Sequence, residues 1–202
     1  MNRFLFSLCV LCLSLFIITA CASSSEEEEM ETTKIESPNE DAEALYREGL
    51  ALIKADETVK ARAQFDRVEQ QYPYSRWAAK SQLMTAYTHY RQLNYEAALV
   101  RLERFIDLNP THPDLPYAYY LTAMSYYEQI ADVGRDQGTT ESARQALKDV
   151  IQRYPGSDYA REAKLKLDLT EDHLAGKEME IGRFYLRKNN LTGAVNRFKG
   201  VV

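Results

Sequence analysis

The chain has 202 residues, 45% of them hydrophobic and 27% charged, and carries a formal net charge of −5. That length suits one domain with a continuous core beside a targeting segment, and 30 acidic against 25 basic residues leave no basic excess to suggest a nucleic-acid partner. Three cysteines, Cys9, Cys12 and Cys21, all near the N-terminus, exclude a disulfide framework.

Met1-Asn2-Arg3 is a short basic start, followed by 17 uncharged residues from Phe4 to Ala20. Position and the small residues at its end predict a signal peptide over residues 1–20 rather than a membrane span. The run closes on Ile18-Thr19-Ala20-Cys21, which resembles a bacterial lipobox; an ordinary secretory signal with a coincidental cysteine is the other reading. The lipobox resemblance implies cleavage before Cys21, with a diacylglycerol on its sulfur and an acyl chain on its new amino group, and no further cofactor is expected. Such chains anchor firmly, each buried CH₂ contributing roughly 0.8 kcal/mol. Ala22 stands where sorted lipoproteins kept in the inner membrane carry an aspartate, so the same resemblance points to the outer membrane. Residues 21–41 hold Glu26 to Glu29, Glu31, Glu36, Glu40 and Asp41 against a single Lys34, and no aromatic residue. A segment so charged cannot bury enough apolar surface to order itself, which predicts a flexible acidic tether, with a docking motif as the alternative. From Ala42 onward, 23 basic and 22 acidic residues leave the remainder about neutral.

Three stretches then punctuate the chain: Tyr72-Pro73-Tyr74-Ser75, Asn109-Pro110-Thr111-His112 and Tyr154-Pro155-Gly156-Ser157, with prolines 37 and 45 residues apart. A proline inside a helix loses a hydrogen bond and clashes with the preceding turn, so each ends a helix. The Ser75 or Asp158 that follows is expected to cap the next one. The spacing is that of a two-helix repeat with one insertion, and the pattern of small and large positions resembles tetratricopeptide repeats of about 34 residues. The expectation is an all-α tetratricopeptide-repeat (TPR) α-solenoid over residues 42–202. Its antiparallel helix pairs would span about 42–74, 75–112, 114–156 and 158–202, the last incomplete.

In the first repeat Leu45, Gly49 and Leu52 fall on one helix and Ala61, Phe65 and Val68 on the next. Gly49 costs about 1 kcal/mol relative to alanine inside a helix, which argues that close packing requires it. The second repeat places Ala86 in the small slot, Asn94-Tyr95 at the turn, and Ala98, Leu102 and Phe105 on its second helix. The third has Tyr119, Ala123 and Tyr126, then Ala143, Leu147 and Val150. Ala123 and Ala143 are 20 residues apart, which predicts a loop inserted over 131–140, as a working face or a tolerated surface insertion. Beyond Ser157, the stripe Tyr159, Ala163, Leu167, Leu174, Ile181 and Tyr185 predicts one helix from about 158 to 188. Asn189-Asn190 should turn it into another starting at Leu191, with Gly182, Ala194 and Phe198 in the repeat slots. Val201-Val202 gives no helix end signal, which suggests that a further helix pair follows in the native protein.

No site chemistry stands out. His89, His112 and His173 lie far apart with no ligand spacing, no nucleophile sits on a glycine elbow, and no glycine-rich phosphate loop occurs, so neither an enzyme nor a metal site is expected. The 14 tyrosines are the compositional oddity. They are either core, or lining for an extended peptide whose backbone their hydroxyls can reach.

Taken together, the lipobox, the acidic tether and the Tyr-Pro repeats resemble the BamD family of lipoproteins that assemble β-barrels in the outer membrane. The most specific stretches are Phe65 to Arg76 with Trp77-Ala78, Asn109 to Pro113, the interrupted third repeat, and Ala194-Val195-Asn196-Arg197. The resemblance implies a non-catalytic scaffold on the periplasmic face of the outer membrane, held there by the lipid on Cys21. It implies as partners BamA, the other lipoproteins of that (BAM) complex and unfolded β-barrel proteins, and no nucleic acid. It places Asn196 and Arg197 where the family meets BamA, Arg197 being either an inter-protein ion pair or merely solvated. For a groove reading the C-terminal strand of barrel proteins it suggests Tyr74, Tyr87, Tyr90 and Tyr126. The family has five repeats, and this chain stops within the fourth. The alternative is another outer-membrane TPR lipoprotein, an adaptor for peptidoglycan enzymes or envelope proteases.

Overall fold

A computed structural model describes residues 38–130 and 137–201; the signal, Cys21 and the greater part of the tether lie outside the described residues, as does most of the 131–140 insertion. Eight helices run through the described residues: α1 Pro38–Lys54, α2 Thr58–Gln71, α3 Arg76–Arg91, α4 Tyr95–Leu108, α5 Leu115–Tyr127, α6 Gly138–Arg153, α7 Asp158–Arg187 and α8 Leu191–Lys199. They pair as α1/α2, α3/α4, α5/α6 and α7/α8, and the single long helix expected from about 158 to 188 is α7.

The proline punctuation acts through the residue before it. Tyr72, Asn109 and Tyr154 leave their helices with φ/ψ of −131°/54°, −129°/56° and −131°/53°, three nearly identical exits. A residue before proline is pushed out of helical geometry by the ring, so the repeated Pro reproduces one exit three times. The capping side chains differ from expectation. Ser157, not Asp158, caps α7, its Oγ accepting from the Ala160 N–H at 3.1 Å, and Asp158 is the first helical residue. Ser75 holds the cap position of α3 without a side-chain cap bond. Asn94 is the cap of α4 rather than its turn, accepting from Ala97 N–H at 3.3 Å, and Asn190 caps α8 from Gly193 N–H at 2.9 Å.

Two boundaries also move. Helix α1 starts at Pro38, so the last residues assigned to the tether are helical. Pro38 takes the first helical position, where its missing N–H is not needed, and Glu40 and Asp41 sit in the first turn against the positive end of the helix dipole. Helix α6 starts at Gly138, and Thr140 is buried, so the insertion is shorter than 131–140.

The turn inside each hairpin is tight. Asp56, Leu93 and Asn189 adopt left-handed backbone, with φ of 61°, 59° and 54°, at the position seven residues after Gly49, Ala86 and Gly182. Leucine is poorly suited to this region, and Leu93 is 72% exposed, so its side chain adds little packing in return. Leu93→Gly should therefore raise stability by about 0.5–1 kcal/mol. A higher urea midpoint is the expected reading; a lower one would show that the turn is not strained.

Each hairpin is held by a small residue on its first helix and a large one on its second. Gly49 is in contact with the ring of Phe65, so closely that a Cβ there would come within 2.5 Å of Phe65 Cε1, and Gly182 meets Phe198 in the same way. Ala86 and Leu102 share one buried cluster with Phe105, Leu121 and Ala118, and Ala123 and Leu147 share the next with Val150 and Ala163. Glycine is matched with phenylalanine and alanine with leucine. The backbones of the first helices α1, α3, α5 and α7 also approach one another closely in succession, whereas those of the second helices α2, α4, α6 and α8 do not among the described residues.

Candidate functional site

The succession of first helices assembles a face of tyrosines. Tyr87 and Tyr90 are one turn apart on α3, Tyr117 and Tyr120 one turn apart on α5, and Tyr159 with Glu162 one turn apart on α7. Because these helices stack side by side, the tyrosines of successive helices become neighbours. The ring centres of Tyr117 and Tyr120 lie 5.6 and 5.2 Å from that of Tyr159, and Tyr90 packs edge-on against Tyr95 at 5.6 Å. Such tilted and edge-on pairs are the arrangements that ring quadrupoles favour.

Burial holds the protons on Tyr90, Tyr117, Tyr120 and Tyr159 of this face. Burial, and then the Glu128 carboxylate, push the Tyr90 hydroxyl up to about 12. Tyr117 is pushed well above the ordinary range by burial and then by the neighbouring Tyr87, Tyr159 and Tyr90. For Tyr120 burial acts first and its hydrogen bond to Glu162 second. A phenol held protonated is a donor that can reach a peptide carbonyl, and its ring offers apolar area. At the α1 end the face continues through Tyr46 and Trp77, whose ring centres are 4.9 Å apart. The Arg76 guanidinium and the Lys80 ammonium each lie 5.1 Å from the Trp77 ring centre, so this end is cationic while the Glu128 and Glu162 end is anionic.

The four tyrosines suggested for the groove are not brought together. Tyr87 and Tyr90 lie on this face, where the Tyr87 hydroxyl accepts from Arg91 at 3.2 Å. Tyr126 lies on the other flank of α5, in a cleft shared with α4. Tyr74 is fully exposed in the α2–α3 connection, beside Asn39, Gln71 and Pro73. Tyr117, Tyr159 and Glu162 take the places that Tyr74 and Tyr126 do not fill. The signal that could have found them is the i, i+3 spacing of 87/90 and 117/120 on the first helix of successive repeats.

Asn196 and Arg197 are both exposed on α8. Arg197 Nη1 lies 3.2 Å from both carboxylate oxygens of Glu178 on α7. The pair borders a cleft of about 430 Å³ with Tyr185, Asn190 and Gly193. Of the histidines, His112 is a structural element, accepting from the Asp114 N–H at 3.1 Å and packing edge-on against Phe105 at 5.2 Å. Among the described residues no cluster of His, Cys, Asp and Glu could hold a metal ion, and no helix is long and apolar enough to cross a membrane.

Helix hairpins locked by small–large pairs and stacked through their first helices define a tetratricopeptide-type repeat protein, with an aromatic face as its candidate site. The chain belongs to the YfiO family of outer membrane lipoproteins, whose model matches residues 38–202. It is 48% identical over 160 residues to the outer membrane protein assembly factor BamD of Caulobacter vibrioides, covering 79% of this chain and 52% of that protein. It is 44% identical over 158 residues to the factor of the same name from Rickettsia prowazekii, covering 78% and 63%. The chain thus spans between half and two thirds of these curated relatives. Among solved structures, MamA from residue 41 to its end, of Desulfovibrio magneticus RS-1, is similar at a TM-score of 0.46 and 20% identity, covering 80% of this chain and 73% of that one.

Proposed function

We propose that this chain is a non-catalytic scaffold of outer membrane protein assembly, in which the tyrosine face takes up extended segments of unfolded β-barrel proteins. The observation that carries the reading is the run of five phenols on three successive first helices, with Tyr120 and Tyr159 rings 5.2 Å apart, in a member of the outer membrane lipoprotein family. Extended segments present alternating side chains and free backbone groups, which aromatic rings and protonated hydroxyls serve in turn. The lipid on Cys21 holds the scaffold at the periplasmic face of the outer membrane, and Asn196 and Arg197 on α8 meet BamA, other lipoproteins of the BAM complex completing the assembly.

Binding of a fluorescein-labelled peptide copying the C-terminal strand of an outer-membrane barrel protein tests the face. Tyr120→Ala should weaken it at least about tenfold, the usual size for a central aromatic anchor, while Tyr126→Ala should leave it unchanged. The reverse pattern would move the site to the α4–α5 cleft. For the α8 end, Arg197→Ala should change stability by less than about 1 kcal/mol, because its pair with Glu178 is solvent-exposed, yet reduce recovery of BamA from solubilised membranes. Full recovery of BamA with the variant, or recovery of a peptidoglycan enzyme without BamA from the unaltered chain, would overturn the assignment.

A further inference from the structure

The second helices leave clefts between them, and the two clefts around α4 differ in one telling respect. Between α2 and α4 the gap is bridged by charge. Arg101 Nη1 lies 3.4 Å from Glu69 and Nη2 lies 3.9 Å from Asp66, and Arg104 Nη2 lies 3.7 Å from Glu69. Between α4 and α6 only one carboxylate of this arrangement is repeated, and the basic half is missing. Ala61, Ala98 and Ala143 hold the same slot in α2, α4 and α6. In that register α4 has Glu103 where α2 has Asp66 and Ile106 where α2 has Glu69, while α6 has Ala146 and Asp149 where α4 has Arg101 and Arg104.

Between α4 and α5 lies an open cleft of about 490 Å³ whose α4 wall carries Glu96, Glu103 and Asp107 at one-turn and two-turn spacings, beside Val100 and Ile106, with Tyr126 of α5 on the opposite wall. None of the three carboxylates has a hydrogen bond or ion pair among the described residues. Val100 is 66% exposed although it sits between two of them. Carboxylates alone would be an ordinary solvated helix flank. Set around an exposed apolar strip, with Glu103 in the place where Asp66 meets Arg101 one repeat earlier, they form a surface complementary to cations flanked by apolar side chains.

We propose that the α4–α5 cleft docks an extended segment of a partner protein in which arginine or lysine alternates with apolar residues. The cations face Glu96, Glu103 and Asp107, and the apolar side chains cover Val100 and Ile106. Charge excludes the acidic stretch Glu26–Glu29 of this chain as the occupant. The cleft lies on the flank of α5 opposite Tyr117 and Tyr120, so the inference stands apart from the tyrosine face.

The test uses the full chain and a fluorescein-labelled decapeptide of alternating valine and arginine, with serine–arginine and valine–glutamate decapeptides as controls. The valine–arginine peptide should bind, the serine–arginine peptide at least tenfold more weakly, and the valine–glutamate peptide not at all. The combined change Glu96→Gln, Glu103→Gln and Asp107→Asn should weaken binding at least tenfold with the helical signal unchanged. Tyr120→Ala should have no effect on this peptide. A photo-crosslinking residue at Val100 in the otherwise unaltered chain should label the peptide, and one at Val195 should not. Undiminished binding by the folded triple variant, equal binding of the serine–arginine peptide, or labelling from Val195 rather than Val100 would overturn the proposal.

Discussion

Phe65→Ala should destabilise the chain by about 3–5 kcal/mol, the loss typical of a fully buried phenylalanine. The more informative result comes from its partner across the hairpin. Gly49→Ala alone has two opposed effects. It gains up to about 1 kcal/mol of helix propensity and loses about 1–3 kcal/mol by pushing a methyl group into the Phe65 ring. Contact with that ring decides the sign, since a Cβ at Gly49 would stand 2.5 Å from Cε1 and 2.9 Å from Cδ1, and Phe65 is fully buried with nowhere to retreat. Once Phe65 is alanine the obstacle is gone and Gly49→Leu can fill the space from the other side. The double variant should therefore recover at least about 1 kcal/mol over the sum of the single changes, within the range found for residues in contact. Urea denaturation of the four chains measures this, and strict additivity would show that the pair is not the hairpin lock.

Raising the pH should unfold the chain over the window in which its tyrosines ionise. Burial raises Tyr46, Tyr90, Tyr95, Tyr117, Tyr120, Tyr154 and Tyr159 above the ordinary 10.0, Tyr90 to about 12. A group with a raised folded-state value binds its proton more tightly in the folded chain. Its contribution is intact below pH 10.0 and is lost as pH rises from there through about 12, where the unfolded chain ionises and the folded one resists. In ultraviolet titration, tyrosinate from these raised groups should appear together with loss of the helical circular-dichroism signal. A single wave embracing all 14 tyrosines with the helices intact would refute the burial that defines the face.

The features legible in the sequence are those set by neighbours along the chain. A residue before proline is restricted by the ring beside it, so Pro73, Pro110 and Pro155 mark where α2, α4 and α6 end. The small and large slots recur at fixed spacing, which located the hairpin locks. Glu40 and Asp41 were misjudged because an acidic run signals disorder by composition, whereas at the start of α1 the same charges complement a helix dipole. Gly138 reads as loop by propensity, yet it opens α6, where a poor helix former is tolerated. The tyrosine face was missed for a different reason. Which flank of α5 joins Tyr159 of α7 depends on how the hairpins stack, and no periodicity within α5 distinguishes Tyr120 from Tyr126. The Arg197–Glu178 pair likewise spans a turn and 19 residues.

Helix α7 has 30 residues, nearly twice the next longest, and so is about 45 Å long at about 1.5 Å per residue. Its first turn carries Tyr159 and Glu162; Glu178, which holds Arg197, lies about five turns further along the same rod. No loop or hinge separates them. The distance between the aromatic face and the α8 end is therefore set by a single strut, so that one works as a caliper jaw for the other. Lengthening α7 by one full turn at an exposed position would keep both surfaces in their orientation and shift only their spacing, by about 5.4 Å.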